Sequence, residues 1–343
     1  MKEKSEKKRV VMGLSGGVDS SVAAFLLQEK GFLVTGVFLK FWEEGKCCNS
    51  DAQRRARKVC RELNIPFYVV DVREEFRERV VDHFVESYKR GETPNPCVIC
   101  NREIKFGTLM EKLTSFGADH VATGHYVRVK EGDGGMSLFK GKDGSKDQSY
   151  FLWRIDKEWL SKLLFPIGEF TKEEVREKAE ELDLPTAKTE ESQEVCFIEE
   201  GVRNFLKKYI DERPGDIIDK EGRVLGKHDG IFFYTEGQRR GLDLSGGPYY
   251  VLKKDKKRNV LVVTKNEEEL YKKEFHFKEA NFLKEVKFPF RSDIRVRYGS
   301  ELVEGVVKEG EVELSESQRA VAPGQSVVFY NGEEVLGGGI ITN

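Results

Sequence analysis

The sequence has 343 residues, with 58 lysines and arginines against 60 aspartates and glutamates, for a net charge of −2. At 38% hydrophobic residues and 23 phenylalanines it is too apolar for a disordered chain, and its length predicts two or three domains. The balanced charge excludes a single-sign, histone-like nucleic-acid coat, but not RNA binding through a local basic surface. The opening MKEKSEKKRV lacks the apolar segment of a secretory signal, and no apolar run approaches the roughly 20 residues of a membrane span. The expectation is a cytoplasmic protein without membrane association, in which thiols stay reduced.

The elements alternate strand and helix through the first 130 residues or so. Arg9–Gly13 reads as a strand, and 18–30 as a helix stopped by Gly31. A strand is expected over 32–38, and a helix capped by Ser50 reaches about Leu63. A strand at 66–70 and a helix over 74–88 follow. Pro94 and Pro96 mark 93–100 as a loop, before a helix to about Ser115 and a strand near His120–Thr123. Thr171 and Glu174 have the spacing of a capping box opening a helix to about Leu182. The stretch 185–201 lacks periodicity. Hairpins are expected over 215–226 and 249–264, and short alternating runs from about Phe275 suggest an all-β module. The fold class is α/β: a parallel sheet domain over 1–200, a small mixed central domain over 201–272, and a C-terminal β-barrel over 273–343.

The strongest chemical signal is SGGVDS, with Gly13 and Leu14 leading into Ser15, Gly16, Gly17, Val18, Asp19 and Ser20. It lies between the first strand and first helix. Glycines let the backbone approach a ligand, and the N–H groups of a helix N-terminus favour an anion. Ser15 and Ser20 add hydroxyl donors, and Asp19 makes sense beside phosphates if it helps hold Mg²⁺. No Walker GxxxxGK[ST] or dinucleotide GxGxxG occurs. The hexapeptide resembles the ATP loop of the PP-loop pyrophosphatases. Those enzymes cleave ATP between its α and β phosphates and adenylate a carbonyl oxygen, and the loop alone does not choose among their activities.

The cysteines narrow the choice. Cys60 lies in a helical pattern and reads as a small core residue; Cys47 and Cys48 also read as incidental. Cys97 and Cys100 form a CxxC after a proline-bearing loop, and Cys196 is a distant third thiol. A redox pair, a metal site and a sulfur-transfer nucleophile all suit this pattern. No second CxxC supports a zinc ribbon, and the five histidines form no HExxH.

Seven segments in order, GLSGGVDS, TPNPCVICNREIKF, GHYVRV, KDQSYFL, CFIEEG, GKHDGIFFYTEGQRRGL and APGQSVVFY, resemble the bacterial tRNA-specific 2-thiouridylases over nearly the whole chain. The resemblance implies ATP-dependent replacement of the wobble uridine's C2 oxygen by sulfur. It implies a persulfide on Cys196 and a partner nucleophile at Cys100, with a disulfide between them at the end of the cycle. It places Leu39 and Gly124 at the nucleotide and Asn95, Pro96 and Cys97 at the target base. His125, Lys146, Asp147, Gln148, Arg297, Tyr298 and Gln325 match tRNA contacts. Many relatives carry Asp where this chain has Cys97. That departure makes Cys97, Cys100 and Cys196 candidate ligands for a [4Fe–4S] cluster with one open iron. The implied partners are tRNA and a sulfur donor, either a persulfide relay protein or sulfide, acting with a monomeric enzyme. The alternatives are another PP-loop ligase or tRNA-modifying enzyme, which needs no cysteine triplet, and a non-catalytic RNA-binding protein, which needs no ATP loop.

Overall fold

The run Arg9–Gly13 (β1) lies at the centre of a five-stranded sheet in the computed structural model, which describes residues 7–42, 49–132, 134–189 and 195–342. Cys47 and Cys48 fall outside the described residues. Contacts divide the chain into two units. The first takes the described residues of Met1–Val80, Cys97–Glu199 and Glu333–Leu336; the second takes those of Val81–Pro96, Glu200–Gly332 and Gly337–Asn343.

In the first unit β1 is flanked by β2 (Leu33–Lys40) and, on its other side, by β4 (His120–Ala122). The outer strands are β3 (Phe67–Asp71) and β7 (Leu163–Leu164), giving the order β3-β2-β1-β4-β7 with every pair parallel. Val10, Val11 and Met12 are buried, as a parallel strand covered on both faces requires. The chain leaves β1 towards β2 and returns on the opposite side at β4. The loop after β1 therefore sits at a topological switch point, where such sheets bind ligands.

The helix after that loop, Val18–Glu29, buries Val22, Ala23, Ala24, Leu26 and Leu27. Gly31 ends it with φ +84°, a conformation open to glycine at no steric cost. The next helix, Ser50–Glu62, is capped by Asn49 and not by Ser50: the Asn49 amide oxygen accepts from the N–H groups of Asp51 and Ala52 at 3.1 and 3.0 Å. The side chain one residue earlier is the one that reaches both orphan donors. Cys60 is buried on this helix against Gly36, where a Cβ would stand 2.5 Å from its sulfur. It is a core residue.

Two further differences from the sequence reading concern helices. The stretch expected as a uniform helix over 74–88 is α-helical at Arg73–Phe76, π-helical at Arg77–Asp82 and α-helical again at His83–Lys89. The stretch expected as a loop over 93–100 turns helical at Pro96: Pro96–Ile99 is one α-helical turn, continued by a π-helical segment at Cys100–Phe106. Proline suits a first helical position, where its missing N–H costs nothing. The same residue that reads as punctuation thus starts a helix, and the CxxC lies on it.

The hairpin of β5 (Val127–Gly132) and β6 (Gly135–Lys140) has no counterpart in the sequence reading. It is tied to the short segment Glu333–Leu336 of the same unit: Lys140 N–H donates to the Glu333 carbonyl at 2.9 Å and Arg128 pairs with the Glu333 carboxylate at 3.0 Å. The helix Lys172–Glu181 opens with the expected capping box, Thr171 Oγ1 accepting from Glu174 N–H at 3.2 Å and the Glu174 carboxylate accepting from Thr171 N–H at 2.6 Å.

The second unit contains a four-stranded sheet and a closed barrel. β8 (Gly215–Ile218), β9 (Val224–His228), β10 (Tyr250–Asp255) and β11 (Val260–Thr264) pair in the order β10-β11-β8-β9. The barrel comprises β12 (Tyr271–Phe282), β13 (Phe290–Arg295), β14 (Val303–Lys308), β15 (Glu311–Arg319), β16 (Ser326–Asn331) and β17 (Glu334–Ile341). The long β12 closes it, pairing first with β15 and then with β17. Closure removes the exposed edges of an open sheet. Phe277, Phe282 and Phe290 surround Phe329 with ring centroids 5.3–6.1 Å away.

Gly124, just past β4, meets the start of the first helix: a Cβ there would lie 2.7 Å from Ser20 N and 2.9 Å from Asp19 C and Ser20 Cα. Gly124→Ala is expected to lower stability by about 1–3 kcal/mol, because rigid backbone must move. Gly144 is the control, since a methyl group there would meet nothing within 4 Å. Gly144→Ala should stay within about 0.5 kcal/mol of the parent. Urea midpoints of the two variants check this.

Candidate active site

The loop between β1 and the first helix is built from its own backbone. Gly16 has φ +75°, and a Cβ there would fall 2.2 Å from the Ala52 carbonyl oxygen, so no other residue fits. Gly17 occupies the N-cap position without a capping side chain, which leaves the first helical N–H groups facing outward. Ser20 Oγ ties the loop together, accepting from Ser15 N–H at 3.2 Å and donating to the Gly17 carbonyl at 3.1 Å. Arg55 Nε donates to the Gly16 carbonyl at 2.9 Å. Gly13 and Leu14 lead into the turn, with Leu14 N–H bonded to the Val37 carbonyl at 2.8 Å. The result is a rigid cradle of donors at a helix N-terminus, suited to phosphate. Leu39, near the end of β2, is buried and pairs in register with Val70 of β3.

Asp19 does not stand open beside this cradle. Its carboxylate accepts from the Lys172 ammonium at 2.7 and 2.9 Å and from the Tyr126 hydroxyl at 2.7 Å. Lys172 is only 8% exposed. Its own N–H donates to Asp143 Oδ2 at 3.0 Å, and its helix packs against the Val18–Glu29 helix. Sequence reasoning passed over both Lys172 and Tyr126. For Lys172 a signal existed: a cation in the first turn of a helix opposes the helix dipole and wants a local anion.

The KDQ segment reaches the same cluster from behind. The Gln148 side-chain oxygen accepts from Tyr126 N–H at 3.0 Å, and Gln148 N–H donates to the Tyr126 carbonyl at 3.1 Å. Asp147 is buried, its carboxylate accepting from the N–H groups of Gly141 and Ser149, both at 3.1 Å, and from the Ser149 hydroxyl at 2.9 Å. Lys146 beside them is partly exposed. His125 is buried, its Nδ1 2.7 Å from Thr123 Oγ1 and its ring between Phe106 and Phe165. Burial, helped by the nearby Lys105 charge, holds its pKa well below the ordinary imidazole value, so it is neutral at pH 7.

The cysteines differ sharply. Cys100 is 5% exposed, and desolvation pushes its thiol up to about 12, with Lys105 opposing and Cys97 adding to the rise. Cys97 and Cys196 are half-buried, and none of Cys60, Cys97, Cys100 and Cys196 is in a disulfide. The CxxC turn is fixed by buried Val98 and by Asn101, whose amide donates to the Phe151 carbonyl at 3.2 Å. Cys196 is placed by its neighbour Phe197, which packs on Phe76 and Trp42 at centroid separations of 5.6 and 6.2 Å. Among the described residues, no three His, Cys, Asp or Glu side chains assemble as a metal-holding group. As placed, Cys97, Cys100 and Cys196 do not form the ligand set of an iron–sulfur cluster.

In the second unit, residues just upstream of the CxxC are held by the barrel. Thr93 N–H donates to the Pro323 carbonyl at 2.7 Å, and Gln325 Nε2 donates to the Thr93 carbonyl at 2.6 Å. Asn95 is partly exposed and Pro96 buried. Arg297 and Tyr298 are exposed at a turn, Tyr298 to 43%. Within the basic run 253–258, Lys254 is buried and donates to the Tyr234 carbonyl at 3.0 Å, and Arg258 pairs with Asp255 at 2.8 Å.

A five-stranded parallel sheet with an uncapped glycine turn at its switch point defines a nucleotide-binding domain of the HUP class. The family model described as the tRNA methyl transferase HUP domain matches residues 8–200. Those described as the tRNA methyl transferase PRC-barrel domain and the aminomethyltransferase beta-barrel domain match 203–265 and 272–341. The tRNA-specific 2-thiouridylase MnmA of Clostridium perfringens is 43% identical, covering 98% of this chain and 98% of its own. That of Carboxydothermus hydrogenoformans is 44% identical over 98% of each chain, and that of Bacillus subtilis 41% identical over 99% of this chain and 96% of its own. The chain belongs to the tRNA-specific 2-thiouridylase family. No helix among the described residues is long and apolar enough to cross a membrane.

The four described thiols should label in two classes. With pKa values near 12, Cys60 and Cys100 hold roughly one part in ten thousand as thiolate at pH 8. Brief treatment of the native protein with iodoacetamide should modify Cys97 and Cys196, leaving Cys60 and Cys100 for a second label added in denaturant. Peptide mass spectrometry reads the two labels.

Proposed function

We propose that the protein uses ATP to replace the C2 oxygen of a tRNA wobble uridine by sulfur. The observation that carries this reading is the phosphate-binding turn and the cysteine pair within one unit of a chain of this family. A uracil carbonyl oxygen is a poor leaving group. Attack of that oxygen on the α-phosphate of ATP releases pyrophosphate and leaves the oxygen as part of AMP. The loop Gly13–Ser20, with the backbone at Leu39 and Gly124, binds the nucleotide in this reading, and the helix N-terminus holds the phosphates.

The terminal sulfur of a Cys196 hydropersulfide then attacks C2 and expels AMP. Cys100 sulfur next attacks the Cys196 sulfur, forming a Cys100–Cys196 disulfide and leaving 2-thiouridine. A dithiol supplies the two electrons that reset the pair. Asn95, Pro96 and Cys97 meet the extruded base, where a proline-started turn gives a rigid wall. Cys100 is sealed and protonated in the tRNA-free chain, so its attack requires the base-bound state to open the CxxC turn. The iron–sulfur alternative on Cys97, Cys100 and Cys196 rests on Cys97 standing where many relatives have Asp. It requires the three thiols to gather from the positions described above. Mg²⁺ is the expected counter-ion of ATP. Lys146, Arg297 and Tyr298 contact tRNA, whereas Asp147, Gln148 and Gln325 act by shaping the chain that carries the site.

Two measurements test this. A strain lacking the gene and any paralogue should lose tRNA 2-thiouridine; the wild-type gene should restore it and Cys100→Ser or Cys196→Ser should not. Undiminished 2-thiouridine refutes the proposal, and stoichiometric iron and sulfide in active, anaerobically purified protein replaces the persulfide scheme with the cluster one. Arg297→Ala should weaken tRNA binding and lower the slope of log affinity against log salt by about 1. Gln325→Ala should leave that slope unchanged while slowing thiolation.

A further inference from the structure

The least expected feature of the first unit is a buried lysine at the mouth of the phosphate cradle. Lys172 places its ammonium on both carboxylate oxygens of Asp19, the second residue of the helix that ends the cradle. Its backbone is anchored independently, through Asp143 and through the capping box at Thr171 and Glu174, so the side chain is aimed rather than draped. Tyr126 completes the set from below, with its hydroxyl on Asp19 and the Lys172 ammonium 5.7 Å from its ring centroid. Burying a lysine costs free energy unless it is paired, and structural pairing alone needs no position beside a ligand loop.

A triphosphate brings several negative charges to a turn that carries an anion of its own, Asp19, at the start of the helix. Left unpaired, Asp19 would repel the nucleotide. A lysine on a four-carbon stem is a mobile point charge that can serve phosphate as readily as carboxylate. We propose that Lys172 is a polyphosphate ligand: its ammonium, stored on Asp19 and Tyr126, contacts the β,γ-phosphate end of bound nucleotide. The proposal rests on the ATP-dependent reading above and adds the residue that recognises the departing pyrophosphate.

The test is equilibrium binding of ATP and of AMP to the full-length protein, in four forms: wild type, Lys172→Met, Asp19→Asn and the double variant. Lys172→Met is expected to weaken ATP at least tenfold and AMP less than threefold, with Lys172→Arg recovering part of the loss. The same tenfold step should appear in the Asp19→Asn background. Equal loss for ATP and AMP would assign Lys172 a structural role and overturn the proposal. So would a step below threefold in the Asp19→Asn background, because Lys172 would then act only by masking Asp19. If Lys172→Met fails to fold, as its thermal midpoint would show, Lys172→Gln takes its place. Wild-type protein that binds no ATP removes the functional reading itself, whereas wild type that binds ATP with an indifferent Lys172 removes only this inference.

Discussion

The carboxylate of Asp19 is the point on which the first unit's organisation turns. Three segments far apart in sequence end on it: the glycine turn at its own position, the strand exit at Tyr126 and the helix start at Lys172. Each segment also has its own anchor: Ser20 and Arg55 hold the turn, Gln148 pins Tyr126, and Asp143 and the capping box fix Lys172. A partly buried carboxylate with an ammonium and a hydroxyl donor is satisfied, and charge-assisted hydrogen bonds of this kind are about twice as strong as neutral ones. The KDQSYFL segment therefore matters to the nucleotide loop through Gln148 and to the cysteine turn through Phe151, which accepts from Asn101. One short motif thus braces both the strand exit at Tyr126 and the cysteine turn.

The thiols obey a complementary logic. Cys100 is buried, and burial raises its pKa to about 12, so its proton stays on at neutral pH. A permanently ionised, accessible thiolate would meet any passing electrophile or oxidant. Burial prevents that in the tRNA-free chain, and under the reaction proposed above it would tie sulfur release to the base-bound state. Cys60 has the same raised pKa for the same physical cause, yet it lies against Gly36 and has no chemistry to protect. The shift alone does not separate the two; the motif and the neighbours do.

Much of this is legible in the sequence, and the misses share a cause. The parallel sheet, the glycine turn and the barrel announce themselves through periodicity and punctuation, which are local. The capping box at Thr171 is legible because its partners are three residues apart. The role of Lys172 is not, because its partner is 153 residues away. The same holds for Gln148 with Tyr126 and Gln325 with Thr93, whose side-chain bonds close loops that no local pattern encodes. Family resemblance marks such residues as important, and it assigns them to tRNA. The geometry shows their polar atoms engaged with their own chain. Pro96 misleads for the opposite reason, since a helix start and a loop use proline alike.

These internal engagements bear on how a chain with a net charge of −2 recognises a polyanion. Many of its cations are already committed: Arg102 to Glu103 and Asp156, Arg128 to Glu333, Lys172 to Asp19, Arg258 to Asp255. A lysine or arginine held by a carboxylate releases few counterions when RNA arrives, because its charge is already balanced. The cations so paired are therefore poor candidates for RNA contacts. Arg297 and Tyr298 are exposed at a turn and belong to the groups that the proposed reading sets against RNA, where stacking and shape add to charge. Discrimination by shape and stacking suits an enzyme whose target is one extruded base, since backbone charge is the same at every nucleotide and says nothing about which base is in the pocket.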